Sequence, residues 1–177
     1  VEAKTALETL EKGVHGVLLA TSDEAELKKI SSLISTTESV ELATAKIISV
    51  TKVGMTARSL IDTGELMTEG EGMLIGNASS GMVLMHAEVT ENPHVATRPF
   101  RVNAGALSLY ILLANGKTKY LSEVKAGDEV LVVDRSGKTR KALVVRNKIE
   151  WRPMLLIEAK AEGSNEAIKT IAQDAET

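Results

Sequence analysis

The 177-residue chain contains no cysteine, only three prolines, and four aromatic residues in all: one Trp, one Phe and two Tyr. Without cysteine there are no disulfides, thiolate metal ligands or thiol nucleophile. With so few aromatics the core must be built from Val, Ile, Leu, Met and Ala, and a base-stacking surface for nucleic acid is not expected. No apolar run approaches the ~20 residues of a membrane-spanning helix, and no secretory signal pattern is present. Charge of one sign is also lacking. The 21 Lys and Arg against 24 Asp and Glu leave a net charge of −3, which gives no general attraction to nucleic acid or anionic membranes. These absences together lead us to expect a cytoplasmic protein with no nucleic-acid or membrane partner.

What is present suits one domain, or one domain with an appendage. The hydrophobic content of 44% and charged content of 25% are ordinary for a globular protein. Residues 1–37 differ in kind from the rest. Ala3, Ala6, Leu7 and Leu10 recur at helical spacing, and Gly13 ends the pattern. Val14 to Ala20 reads as a short buried strand. Ser22 or Asp23 then caps a second helix with Leu27, Ile30, Leu33 and Ile34 on one face. A helix–strand–helix piece cannot bury its own strand, so this region reads as a partial α/β unit. Its unpaired strand edge leaves self-association into a homo-oligomer open.

From residue 38 onward the apolar period becomes two. Strands are expected over Val40–Val50, Ser59–Asp62, Met73–Gly76, Met82–Val89, Phe100–Asn103, Leu107–Leu113, Lys117–Tyr120, Glu129–Asp134, Thr139–Glu150 and Met154–Ala161. Asn115-Gly116, Ala126-Gly127-Asp128 and Ser136-Gly137 supply turns. Asn165–Ala172 is expected to close the chain as a short helix. The fold class is thus α+β: a partial α/β unit (1–37), then a Gly-rich, mostly antiparallel β-barrel-like domain (38–177).

Chemistry is concentrated between Glu69 and Gly105. Gly76, Asn77, Ser79, Ser80 and Gly81 form a loop whose N–H groups and hydroxyls can hold an anion. The bland alternative is a tight barrel corner. His86 and Glu88 share one face of a strand and can share a proton, or form a solvated pair. No metal is favoured: His86, Glu88 and His94 lack a recognised ligand spacing. In Arg98-Pro99-Phe100-Arg101-Val102-Asn103, Pro99 forces an extended entry, and Arg101 and Asn103 share a face opposite Phe100 and Val102. Two arginines this close suit a carboxylate or phosphate. The alternative is internal pairing with Glu69, Glu71 or Glu88. Lys119 is a solvated strand residue or, desolvated, an acid or base.

These strings resemble the 3-dehydroquinate synthase II family, an archaeal-type, NAD-dependent enzyme of an alternative route into aromatic biosynthesis. GEGMLIGNASSG (Gly70–Gly81), HAE (His86–Glu88), ENPHVATRPFRVNAG (Glu91–Gly105), GKTKYLSEVKAGDEVLVVD (Gly116–Asp134) and KIEWRPMLLIEA (Lys148–Ala159) carry the resemblance. It implies oxidative deamination of an amino-deoxy seven-carbon keto sugar acid with NAD⁺, and cyclisation of the product to 3-dehydroquinate. Against that chemistry, His86, Glu88 and Lys119 are expected to move protons. Arg98, Arg101 and Asn103 are expected to hold the acidic sugar, and Gly76, Asn77, Ser79, Ser80 and Gly81 the cofactor. The chain departs from the family at Asp62–Glu65, where a cysteine is usual, and at His15, where Asp is frequent. The family's chains are about twice this length, so a piece cut at both ends is expected. Its alternative reading is a non-catalytic anion-binding or structural β-domain.

Overall fold

A computed structural model describes residues 20–28, 39–91, 93, 96–164 and 166–175. The chain divides into two units, Val1–Glu38 and Ser39–Thr177. In the first, one helical turn is described over residues 24–28. Asp23 caps it: its Oδ1 accepts from the Ala25 N–H at 2.9 Å, and its carbonyl accepts from Leu27 at 3.0 Å. The expected first helix, most of the strand and the rest of the second helix lie outside the described residues.

The second unit is antiparallel β. Its strands are β1 (Ala45–Thr63), β2 (Gly72–Ala78), β3 (Gly81–Glu88), β4 (Arg98–Ala106), β5 (Tyr110–Leu112), β6 (Thr118–Tyr120), β7 (Glu129–Val133), β8 (Thr139–Ala161) and β9 (Ala167–Gln173). A single 3-10 turn, Leu121–Glu123, follows β6. Among the described residues helix is almost absent, so the expected α+β class reduces to a mostly antiparallel β-sheet structure. Pairing runs β3-β4-β1-β8-β7-β2, and β2 pairs with β3 again. The hydrogen bonds therefore form a ring. Two of its joints are short: β2 meets β7 through Gly72↔Val133 and Met73↔Val132, and β3 meets β4 through Ala87↔Val102 and Glu88↔Arg98. The ring falls short of a regular barrel.

Several boundaries differ from those read in the sequence. Val40–Val50 and Ser59–Asp62 were expected as separate strands, but β1 runs unbroken from Ala45 to Thr63. Gly54, at φ 84°, absorbs a register shift against β8, so pairing continues through it. Strand β8 likewise continues past Pro153, which stands opposite Met55 beside that bulge. Residues 107–109 form a turn in which the Leu109 N–H donates to the Ala106 carbonyl at 3.0 Å, leaving β5 with three residues. The expected C-terminal helix is instead strand β9, paired with β8 from Lys160↔Ala167 to Met154↔Gln173. Ile168, Thr170 and Ile171 are β-branched, and the free edge of β8 offers partners that an isolated helix lacks.

The core is aliphatic. Ile61, Met73, Ile75, Val102, Leu109, Ile111, Leu121, Val130, Val132 and Met154 pack into one cluster. Each such side chain contributes about 1.5–3 kcal/mol by leaving water. Leu74, Leu131 and Val133 form a smaller cluster with Val40, Met82, Leu84 and Leu112. No helix among the described residues is long and apolar enough to cross a membrane.

Candidate functional site

A cavity of about 600 Å³ opens where β1, β3, β4, β8 and the end of β9 meet. Strand parity supplies its walls. Arg58 and Leu60 alternate with the core residue Ile61 on β1, and Arg101 and Asn103 alternate with Val102 on β4. Lys148, Glu150 and Arg152 present the same face of β8, while Ile149 and Trp151 are exposed. Bulges adjust the alternation. Between β1 and β4, Ser59 faces Gly105 but Leu60 faces Asn103, so Ala104 is the extra residue. A second irregularity, between Ala87 and Glu88, brings Arg98 onto the cavity as well.

The lining is rich in cations. Arg58, Arg98, Arg101, Lys148 and Arg152 outnumber the carboxylates of Glu88, Glu91 and Glu150. Glu150 is the hub of one cluster: its Oε1 is 2.6 Å from Lys148 Nζ, and its Oε2 lies 2.9 Å from Arg58 Nη2 and 3.0 Å from Arg152 Nη2. Hydrogen bonds from Lys148 and then Arg58 hold its carboxyl down to about 2, against the opposing effect of burial. Arg58 Nη1 also donates to Gln173 Oε1, which accepts from Asn103 Nδ2 at 3.1 Å as well.

The residues expected from the sequence are partly brought together. His86, Glu88, Arg98, Arg101 and Asn103 all line this cavity. His86 and Glu88 do not pair. His86 Nε2 accepts the Gly70 N–H at 2.7 Å, so the ring proton sits on Nδ1. Glu88 Oε2 instead accepts from Arg98 Nη1 at 3.3 Å. Arg101 has an internal partner that was not among those considered. Its Nε and Nη2 donate to Asp62 Oδ1 and Oδ2 at 2.7 and 3.0 Å. Burial pushes the Asp62 carboxyl up, but bonds from Arg101 and Arg146 outweigh it and hold the group below its usual value. His94 lies outside the described residues. Among those described, no three His, Asp or Glu side chains gather as a metal site.

Lys119 and the glycine loop stand apart from this cavity. Lys119 Nζ is bound to both carboxylate oxygens of Asp128, at 2.9 and 2.8 Å. Residues 79 and 80 are the two-residue turn of the β2–β3 hairpin, closed by the pair Ala78↔Gly81. A Cβ on Gly76 would fall 2.4 Å from the Gly81 carbonyl oxygen, so glycine there permits close strand approach. No helix follows the turn, and Asn77, Ser79 and Ser80 are exposed. This hairpin turn lies outside the residues that line the cavity.

Arg58, Glu150 and Gln173 escaped the sequence reading. One signal was available: Lys148, Glu150 and Arg152 form a charged period-two stripe that alternates with the apolar Ile149 and Trp151. Arg58 and Gln173 carry no local signal, because their role depends on strands that meet only in three dimensions.

Comparison with known proteins places the chain in one family. The model of the 3-dehydroquinate synthase II C-terminal domain matches residues 44–177, and that of the N-terminal domain matches residues 1–34. A 3-dehydroquinate synthase homolog of Aquifex aeolicus (strain VF5) is 52% identical over 177 residues, covering 99% of this chain and 53% of that protein. The 3-dehydroquinate synthase of Methanocaldococcus jannaschii is 53% identical over 178 residues, covering 99% and 49%. That of Methanoregula boonei is 52% identical, covering 99% and 54%. The chain therefore spans about half the length of the curated relatives it matches. No solved structure matches it. The chain belongs to the 3-dehydroquinate synthase II family.

Proposed function

We propose that this chain carries the acid-binding part of a 3-dehydroquinate synthase of the second type. In that reaction an amino-dideoxy-heptulosonic acid is oxidatively deaminated with NAD⁺, and the resulting diketone closes to 3-dehydroquinate. The observation that carries the reading is the cation-rich cavity of about 600 Å³, large enough for a seven-carbon acid, in a chain of this family.

The residues suit that substrate. Arg98 and Lys148, each holding one carboxylate while about half exposed, can turn to the substrate carboxylate. Glu88, one oxygen of which faces Arg98, is placed to accept a proton from the substrate ammonium or from the water that attacks the imine. His86 presents Nδ1–H and so acts as a donor, to a carbonyl oxygen gaining negative charge during ring closure. Asn103 adds a polar contact at the wall. Arg101, held by Asp62, contributes positive field rather than a free fork. NAD⁺ would take the hydride; no residue described here is assigned to it. Lys119 is left with a structural pairing.

The test is NADH absorbance with NAD⁺ and the amino sugar acid, on the intact gene product and on this chain. NADH from the intact product supports the reading, and its absence sinks it. All described residues lining the cavity lie within the second unit. This favours a second reading for the chain alone, an acid-binding module that does not turn over; it predicts binding without NADH.

A further inference from the structure

Tyr110 and Tyr120 are the only tyrosines of the chain, and the fold puts them face to face. They are partners in the register of β5 and β6, whose residue pairs are Tyr110↔Tyr120, Ile111↔Lys119 and Leu112↔Thr118. Partners of this kind carry their side chains on one face, with Cβ atoms about 5 Å apart. The neighbours hold that register. Leu109 and Leu121 are both buried, and the Leu121 N–H donates to the Leu109 carbonyl at 2.8 Å. The Tyr120 N–H donates to Glu123 Oε2 at 3.3 Å, which fixes the exit from β6.

The two rings stack with centroids 4.3 Å apart and planes inclined by 26°. Their hydroxyl oxygens are closer than the centroids, at 2.5 Å, with Tyr110 donating to Tyr120. The stack therefore narrows toward its hydroxyl end, where the ring carbons ortho to each hydroxyl lie. Those carbons share the unpaired spin once a phenol has lost an electron and its proton. Tyr120 is 41% exposed, so the pair is open to an oxidant and to water. The chain has no cysteine to take up the oxidising equivalent in its place. Neither tyrosine lines the cavity, so the pair stands apart from the acid site.

We propose that Tyr110 and Tyr120 form an intramolecular oxidative cross-linking site, joined as dityrosine by a hydroperoxide through the one-electron steps of a peroxidase. Each phenol gives up one electron to the oxidant and one proton to water. The two phenoxyl radicals then form a carbon–carbon bond between ortho positions, and each ring regains aromaticity by moving its ortho hydrogen to oxygen. The protein loses two hydrogens in all. Hydrogen peroxide gains the two electrons and two protons and becomes two waters. The new bond staples β6, which ends the strand order of its sheet, to β5.

Limiting hydrogen peroxide with a haem peroxidase, applied to the intact gene product, tests this. The oxidised protein is run on a denaturing gel, and its monomer band is digested with trypsin. Trypsin cuts after Arg101, Lys117, Lys119 and Lys125, so the tyrosines fall on separate peptides, residues 102–117 and 120–125. Mass spectrometry should show these two peptides joined, lighter by two hydrogens than their sum. Tyr110→Phe and Tyr120→Phe, which keep the ring and lose the hydroxyl, should each abolish the joined peptide. Oxidation in denaturant checks the role of the stack without any variant. The yield there should fall at least about fivefold, because a short flexible link gives only a millimolar effective concentration. Absence of the joined peptide from the oxidised wild-type monomer, its confinement to covalent dimers, its survival in either Phe variant, or an equal yield in denaturant overturns the proposal.

Discussion

Arg101 and Asp62 stand directly opposite one another on β4 and β1, joined by two hydrogen bonds of 2.7 and 3.0 Å, with Asp62 only 2% exposed. The pair stitches the cavity wall to the ring. Arg146 reaches the same carboxylate, its Nη2 2.6 Å from Oδ2. One buried acid thus ties three strands.

Arg101→Ala should therefore act mainly on stability. Breaking a buried pair costs about 3–5 kcal/mol, which corresponds to a fall of about 10 °C in melting temperature for a chain of this size. Arg146 remains on Asp62 and places the outcome toward the lower end. Thermal unfolding and binding of the amino sugar acid, measured on the same variant, decide it. An unchanged melting temperature with lost binding would return Arg101 to the substrate-holding role that its sequence position suggests.

Acid should destabilise the second unit through Glu150. Its carboxyl sits at about 2 when folded and near 4.5 when unfolded, because Lys148 and Arg58 favour the charged form. The depressed value means that its stabilising contribution is complete above pH ~4.5 and is lost as pH falls toward about 2. Asp62, also held low, adds in the same direction. Melting temperatures taken across this window should fall steeply in the wild type and less steeply in Glu150→Gln. Identical slopes would mean that the cluster around Glu150 does not persist in solution.

Gly105→Ala should disturb the bulge that aims Asn103. Gly105 has φ 105°, a conformation L residues rarely adopt, and a Cβ there would lie 2.3 Å from the Ile171 carbonyl oxygen. Strain of this kind costs about 1–3 kcal/mol. We expect a lower melting temperature together with weaker binding of the amino sugar acid, since Asn103 is two residues away on the same strand. A variant that melts and binds like the wild type would contradict the bulge geometry.

Lys119→Met and His86→Phe should separate the two groups of candidate residues. Lys119 is bound by Asp128 and lies off the cavity lining, so its loss should cost at most about 1 kcal/mol and leave affinity for the amino sugar acid unchanged. His86→Phe removes both the acceptor for the Gly70 N–H and the ring's Nδ1 donor from a residue that lines the cavity. NADH formation by the intact product should drop at least tenfold in that variant, whereas His86→Gln, which keeps an acceptor and a donor, should recover part of it. A large loss of activity in Lys119→Met with normal stability would bring that lysine back into the chemistry.

Local rules were enough for part of the fold and site. Gly116, Gly127 and Gly137 turn with φ of 77°, 93° and 85° where the turn dipeptides stand. Parity alone set Arg101 and Asn103 on one face and Val102 on the other, because successive side chains of a strand must alternate. His86 and Glu88 at the end of β3 and Arg98 at the start of β4 line the same cavity, because Glu88 and Arg98 stand opposite one another in the pairing of those strands.

The rest was decided by contacts distant in sequence. The residue alternation says that Arg101 faces a partner, but not that the partner is Asp62, 39 positions earlier, nor that Arg58 meets Glu150 across 92 residues. Residues 167–173 carry both helical spacing and β-branched side chains, and the open edge of β8 selected the strand. The glycine loop shows its bends in the sequence, but not that pairing of β2 with β3 makes residues 79 and 80 a hairpin turn. Pattern in the chain determines which face a side chain takes. Only the pairing of strands determines what that face meets, because register is chosen by the sum of burial and hydrogen bonds over the whole sheet.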